Sequence, residues 1–261
     1  MITSIHNPLL QRARRLLSRS KDRREEQAYV LEGVRLVEEA WTAGAVPEVV
    51  IYSSTLGERG NALLSQMRAA GVPVEEVPAD LLERLGDTDT PQGILAVLPY
   101  SPPTLPAAAN LVVILDGIRD PGNLGTILRT ACAAGADLAL LSPDCADVLS
   151  PKVLRSGMGA HFHIPCVSAP WEDISRWCQA NLAAAAVFLS DVNGGLSLWQ
   201  CDLRQPCALI ICNEASGASP AARTLTETRV HIPMPGGFES LNAATAAAIL
   251  LFEAVRQRSQ A

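Results

Sequence analysis

Apolar and polar positions along this chain follow two rhythms, and the switches between them predict alternating helices and strands. In the first hundred residues a 3.6-residue rhythm predicts helices over 8–18, 34–43, 61–70 and 79–85. Between them AYVLEG, VVIYSS, VPVEEV and GILAVL read as strands. Helix and strand in turn predict a small α/β sandwich over residues 1–98. Residues 99–110, PYSPPTLPAAAN, contain four prolines and read as an extended connector with few packed contacts. Beyond it LVVILD, LALL, AAVFLS, CALIIC and RVHI read as strands. They are separated by a helix in GNLGTILRTACAAG and by helices over 151–158, 174–181 and 221–226. That alternation predicts a second α/β domain over 111–261 with a mainly parallel sheet. A last helix is expected from Ala243, with Ser240 as N-cap and Arg256 and Arg258 at its basic end. Its small Ala244, Ala246, Ala247 and Ala248 run into Ile249, Leu250, Leu251 and Phe252. A helix this apolar calls for burial, which favours a subunit interface as part of its cover.

Composition narrows the picture. The 261 residues suit two domains, and 48% hydrophobic with 18% charged residues belongs to a globular chain, too apolar for disorder. No apolar run approaches the ~20 residues of a membrane span, and MITSIHNPLL lacks the basic and apolar regions of a signal peptide. A cytoplasmic protein is expected. Seven cysteines, an odd number, lie between Cys132 and Cys212 without a CxxC pair, so they are expected as reduced thiols. His161 and His163 would share one face of a strand in a structural role, and no metal is expected. The net charge of -6 argues against indiscriminate nucleic-acid binding. Residues 11–24 reverse that sign, with seven basic side chains and one acid: Arg12, Arg14, Arg15, Arg19, Lys21, Arg23 and Arg24 against Asp22. Such a run is either a solvated helix face or a phosphate-binding surface.

Candidate chemistry collects at three strand ends, where α/β proteins place ligands beside helix N-termini. The first is DGIRDPGNLGTILR at 116–129. Its distinctive polar residues are Asn123 and Arg129, and Gly125 lies one turn before Arg129, leaving room for an anionic group beside the guanidinium. The second is CALIICNEASGAS, with Asn213, Glu214 and Gly217 just past a strand. The third is VHIPMPGGFESLN at 230–242, where prolines and glycines exclude regular structure before Ser240 and Asn242. A nicotinamide oxidoreductase would need GxGxxG after a strand, and the sequence has none.

Read together, NLGTILRTACAAGAD, LIICNEASG and IPMPGGFESLNAATAAA resemble, in that order, the three motifs of the SpoU/TrmH RNA 2'-O-ribose methyltransferases of the SPOUT superfamily. LEGVRLVEEA at 31–40 resembles the ribosomal-protein-like substrate-binding domain that often precedes them. The resemblance implies a parallel-sheet domain ending in a trefoil knot, S-adenosylmethionine bound in a bent pose, and a homodimer. It implies methyl transfer to a ribose 2'-hydroxyl of RNA, with large-subunit ribosomal RNA ahead of transfer RNA. A transfer RNA ribose methyltransferase and a noncatalytic RNA-binding protein of the same fold stay open as alternatives. By resemblance Arg129 holds the catalytic position, with Asn123, Glu214, Ser240 and Asn242 fixing geometry. Cys212, Asn213, Gly217, Ile232, Met234, Leu241 and Asn242 would hold the cofactor, Cys212 replacing the glycine usual there. The seven basic residues of 11–24 would then face RNA. A guanidinium, with a pKa above ~12, is a poor general base but a good partner for a phosphate or a developing alkoxide.

Overall fold

In the computed structural model the described residues are 1–86, 92–183, 186–214 and 216–260. They form two compact units, Met1–Pro102 with Leu149–Phe162, and Pro103–Val148 with His163–Ala261. The sequence groups 149–162 with the second domain, whereas in the structure this stretch belongs to the first unit.

The first unit is built on a four-stranded sheet. In spatial order its strands are β1 (Ala28–Glu32), β4 (Ile94–Pro99), β2 (Val49–Tyr52) and β3 (Val74–Glu76), with only the β2–β3 pair parallel. Helix α1 (Pro8–Ser18) begins where Asn7 accepts from the Leu9 N–H and Pro8 sits in the first turn. It buries Leu10, Ala13, Leu16 and Leu17 against Ala28, Val30 and Val97. A helix that the pattern did not predict follows, α2 (Ser20–Glu26), ended by Gln27 in the left-handed conformation at φ 47°. Helices α3 (Val34–Thr42), α4 (Glu58–Ala69) and α5 (Ala79–Leu85) lie near their expected positions. So does α7 (Pro151–Gly157), which packs on β1, where Arg155 donates to the buried Glu32 carboxylate at 3.3 Å.

The second unit carries a seven-stranded sheet in which every pair is parallel. Its strands are β5 (Leu111–Asp116), β6 (Leu138–Leu141), β7 (Cys166–Ser168), β8 (Val187–Ser190), β9 (Leu196–Ser197), β10 (Cys207–Cys212) and β11 (Arg229–His231). They lie in the order β7-β6-β5-β10-β8-β11-β9. Of the strand expected over 185–190, Ala185 lies outside the described residues. All six positions of β5 are buried, as a strand covered on both faces requires. Val112 and Ile114 point to one face with Ile174 and Trp177 of α8 (Trp171–Asn181) and Ala222 of α9 (Pro220–Leu225). Val113 and Leu115 point to the other. There α10 (Ala243–Arg258) packs on β10 and on α6 (Pro121–Ala133).

Three expectations change. The proline-rich stretch before β5, expected to make few packed contacts, is held at two points, where Trp177 donates its indole N–H to the Pro106 carbonyl at 2.8 Å and Arg258 donates to the Asn110 carbonyl. His161 sits in a short 3-10 turn, Ala160–Phe162, and not on a strand with His163. Helix α10 is capped by Asn242, whose Oδ1 accepts from Ala244 and Thr245, so Ser240 lies outside the helix. Among the described residues no helix is long and apolar enough to cross a membrane, and no cluster of His, Cys, Asp or Glu could hold a metal.

Candidate active site

Parallel strands point their C-terminal ends the same way, so Asp116, Ser190, Cys212 and His231 end β5, β8, β10 and β11 on one edge of the sheet. The chain runs outward from β5 through β6 to β7, then returns to fill the other side. A crevice forms where such directions diverge. The loop after β10 is held there by short contacts. Asn213 donates from its backbone to Asp116 O at 3.1 Å and from its amide to Gly117 O at 2.9 Å. Gly217, at φ 63°, turns the loop back so that its N–H reaches Asn213 O. The buried Asp116 carboxylate accepts from Ser219 N at 2.6 Å. This acid holds a loop in place.

One carboxylate joins all three candidate segments. Glu214 Oε1 accepts from Asn123 Nδ2 of α6 at 2.8 Å and from the backbone N–H of Ala243, the first residue of α10, at 2.7 Å. Asn242 closes the circuit by donating to Asn123 Oδ1 at 3.0 Å while its own oxygen caps α10. Negative charge at the start of α10 also complements the positive end of its dipole. Beside this circuit lies a cleft lined by Cys212, Asn213, Glu214, Gly217, Ile232, Met234, Ser240 and Leu241, all expected site residues. The apolar Ile232, Met234 and Leu241 suit a flat heteroaromatic ring, and Asn213 and Glu214 suit hydroxyl and charged groups. The Cys212 thiol is pushed well above its ordinary pKa by burial, then by the Asp116 and Asp191 carboxylates. It stays protonated, a small wall group rather than a nucleophile.

Arg129 is elsewhere. It is exposed on α6, does not line the cleft, and makes no hydrogen bond or ion pair among the described residues. Gly125 is buried on α6, whereas Arg129 one turn later is exposed. The basic run also divides. Arg23 is buried and donates to the Leu16 and Leu17 carbonyls at the end of α1, so it is withdrawn from any phosphate. Arg12 is paired with Glu26 and Glu48, and Arg15 with Glu26. Arg14, Arg19, Lys21 and Arg24 stay exposed, as does Arg15, and of these Arg19 lies 4.0 Å from Asp22 and Lys21 3.7 Å from Glu25.

Cleft residues that sequence reasoning missed are Ser190, Asp191, Val192, Arg223 and His231. The signal was available for two of them: β8 is a fourth strand ending in polar groups, Ser190 and Asp191.

Comparison with known proteins decides the family. Residues 110–252 match the model of the SpoU rRNA Methylase family, and residues 7–96 match the MRM3-like substrate binding domain. The chain belongs to the SpoU rRNA methylase family. Among its SpoU relatives is the 23S rRNA (guanosine(2553)-2'-O)-methyltransferase RlmP of Bacillus subtilis. It is 34% identical over 237 residues, which cover 90% of this chain and 92% of the relative. The 23S rRNA (uridine(2479)-2'-O)-methyltransferase of Streptomyces viridochromogenes is 34% identical over 268 residues, covering 98% and 92%. The crystal structure of the SpoU methyltransferase AviRb from Streptomyces viridochromogenes in complex with AdoMet superimposes with a TM-score of 0.87. It is 32% identical, covering 98% of this chain and 100% of that one.

Proposed function

We propose that this chain methylates a ribose 2'-hydroxyl in large-subunit ribosomal RNA, using S-adenosylmethionine. The observation that carries the reading is the circuit of Asn123, Glu214 and Asn242, which brings the three motif segments together beside the apolar cleft. Family membership and relatives that act on 23S rRNA support the substrate class. When bound, S-adenosylmethionine supplies an electrophilic methyl group on a sulfonium. Transfer to the ribose oxygen would break the C–S bond, with the hydroxyl proton passing to solvent water. Arg129, exposed and without an ion pair among the described residues, is assigned to the RNA phosphate beside the reacting ribose, where its charge stabilises the developing alkoxide. Ser240 and the circuit fix the approach.

In this reading the first unit reads the RNA through Arg14, Arg19, Lys21 and Arg24, and the second unit performs the transfer in the cytoplasm. The segment between β11 and α10 is taken to be threaded as a trefoil knot, supported by β10 lying between β5 and β8 and by α10 packing on α6. A homodimer through α10 is supported by its outward stripe of half-buried Ala248 and Ile249 and exposed Phe252. A monomer by light scattering at micromolar protein would remove that part.

The decisive experiment is chemical. Alkaline cleavage of RNA needs a free 2'-hydroxyl, so a ribose-methylated position resists base. Ribosomal RNA labelled by this protein with radioactive S-adenosylmethionine should release its label in an alkali-stable dinucleotide. Label found only in mononucleotides would sink the ribose assignment.

A further inference from the structure

The cleft has one cationic arginine among its described lining residues, Arg223 of α9, and it stands outside the three motif segments. Its guanidinium is aimed by two contacts. Nε donates to the Ala218 carbonyl and Nη1 to the Asp191 carboxylate, both at 3.3 Å. Asp191 is itself fixed. Its backbone N–H donates to Val230 O at 3.0 Å, its Oδ1 accepts from Asn193 N, and its side chain is only 11% exposed, with Arg229 a further 3.9 Å away. Arg223 remains 41% exposed, and a guanidinium has five N–H donors, so these two contacts leave donors over at the cleft wall.

The cofactor proposed above has an adenosine part, which the apolar wall suits, and an amino-acid tail ending in a carboxylate. That carboxylate stands beside an ammonium, for which Asp191 and Glu214 offer acidic partners, while the carboxylate itself needs a cation on the same wall. We propose that Arg223 binds the amino-acid carboxylate of the cofactor, with Asp191 as the positioning residue that holds the guanidinium toward the cleft. The inference rests on the cofactor reading given above. It adds that the cofactor's tail turns toward α9, on the side of the cleft formed by β8 and β11. Asp191, Cys212 and Arg223 all line this cleft.

Two ligands separate this from a role in the fold. S-adenosylhomocysteine carries the amino-acid tail, and 5'-methylthioadenosine keeps the adenosine and sulfur without it. By calorimetry on the full chain, Arg223→Ala should weaken S-adenosylhomocysteine about tenfold or more, as loss of a hydrogen bond to a charged group predicts. Affinity for 5'-methylthioadenosine should stay within about twofold, which also shows that the cleft is folded. Arg223→Lys should recover part of the loss. Asp191→Asn should weaken S-adenosylhomocysteine less than Arg223→Ala does and leave 5'-methylthioadenosine unchanged. Equal weakening of both ligands in Arg223→Ala, or no weakening of either, overturns the assignment. Loss of 5'-methylthioadenosine binding in Asp191→Asn overturns the positioning role and puts that carboxylate on the adenosine. If the unaltered protein binds neither ligand, the cofactor reading itself fails and this inference with it.

Discussion

Arg129→Ala is expected to lower methyl transfer by about a thousandfold or more, on the order of 4 kcal/mol of transition-state stabilisation, while changing S-adenosylmethionine affinity by no more than about threefold. The prediction follows from where the side chain sits. Arg129 is exposed on α6, outside the cleft and unpaired among the described residues, so nothing in the fold leans on it. Alanine is at least as good a helix former, and such a surface change shifts stability by roughly 0.5 kcal/mol or less. A loss of activity then reports on the RNA side of the reaction. Arg129→Lys keeps the charge but loses the planar fork that grips a phosphate through two N–H groups, so it should recover only part of the rate. Single-turnover transfer at saturating cofactor gives the first number and calorimetry the second. A large loss of cofactor binding would place Arg129 in the cleft, against the geometry.

Glu214→Ala should have the opposite profile, weakening cofactor binding by about tenfold or more and lowering stability. Its Oε1 is the common acceptor for Asn123 Nδ2 and Ala243 N, and removal strands both donors at the start of α10. The site is partly open to water, which can satisfy those donors in part. Glu214 is exposed, so a cost of about 0.5–1.5 kcal/mol follows, and Tm should fall by about 2–4 °C for each kcal/mol. The walls formed by Asn213, Gly217 and Ala218 and by Ser240, Leu241 and Ala243 then lose the link that sets their spacing. Glu214→Gln keeps an acceptor but gives up the charge at the helix N-terminus, so it should fall between alanine and the native residue. Unchanged cofactor affinity in Glu214→Ala would show that the cleft is set by the strand ends alone.

Regular elements with strong patterns were legible to the residue. The bounds of α1, α5, β5, β6 and β10 agree with the expected ones, because each is a buried stripe or a fully apolar run with a clear stop. Elements held by their neighbours were not. β7 and β9 are too short to carry a period, and α2 hides in a charged run where polar residues show no face. Ser240 and Asn242 are both good caps, and only the position of Asn123 Oδ1 and the α10 axis favours Asn242. Sequence reading found the three motif segments by their residue types. It missed Asp191 and Arg223, whose relevance arises from β8 and β11 lying side by side, a pairing that is not written in either strand. It also treated seven basic residues as one surface, whereas helix geometry turns Arg23 inward and pairs Arg12 and Arg15 with acids.

The circuit around Glu214 has a consequence for the order in which the protein can form. Its side-chain bonds join residues 91 and 119 positions apart, and β5 gains its partner β10 only after four other strands of that sheet have been made. Closing such separations costs chain entropy before any contact offsets it, so these pairings come late in folding. A growing chain can hold β5, α6 and β6 in native form and still have no site, because Asn123 must wait for Glu214 and then for Asn242. The affinity for a small ligand therefore appears in one step near the end of folding, and a molecule whose final helix has docked wrongly is silent toward that ligand however much regular structure it contains.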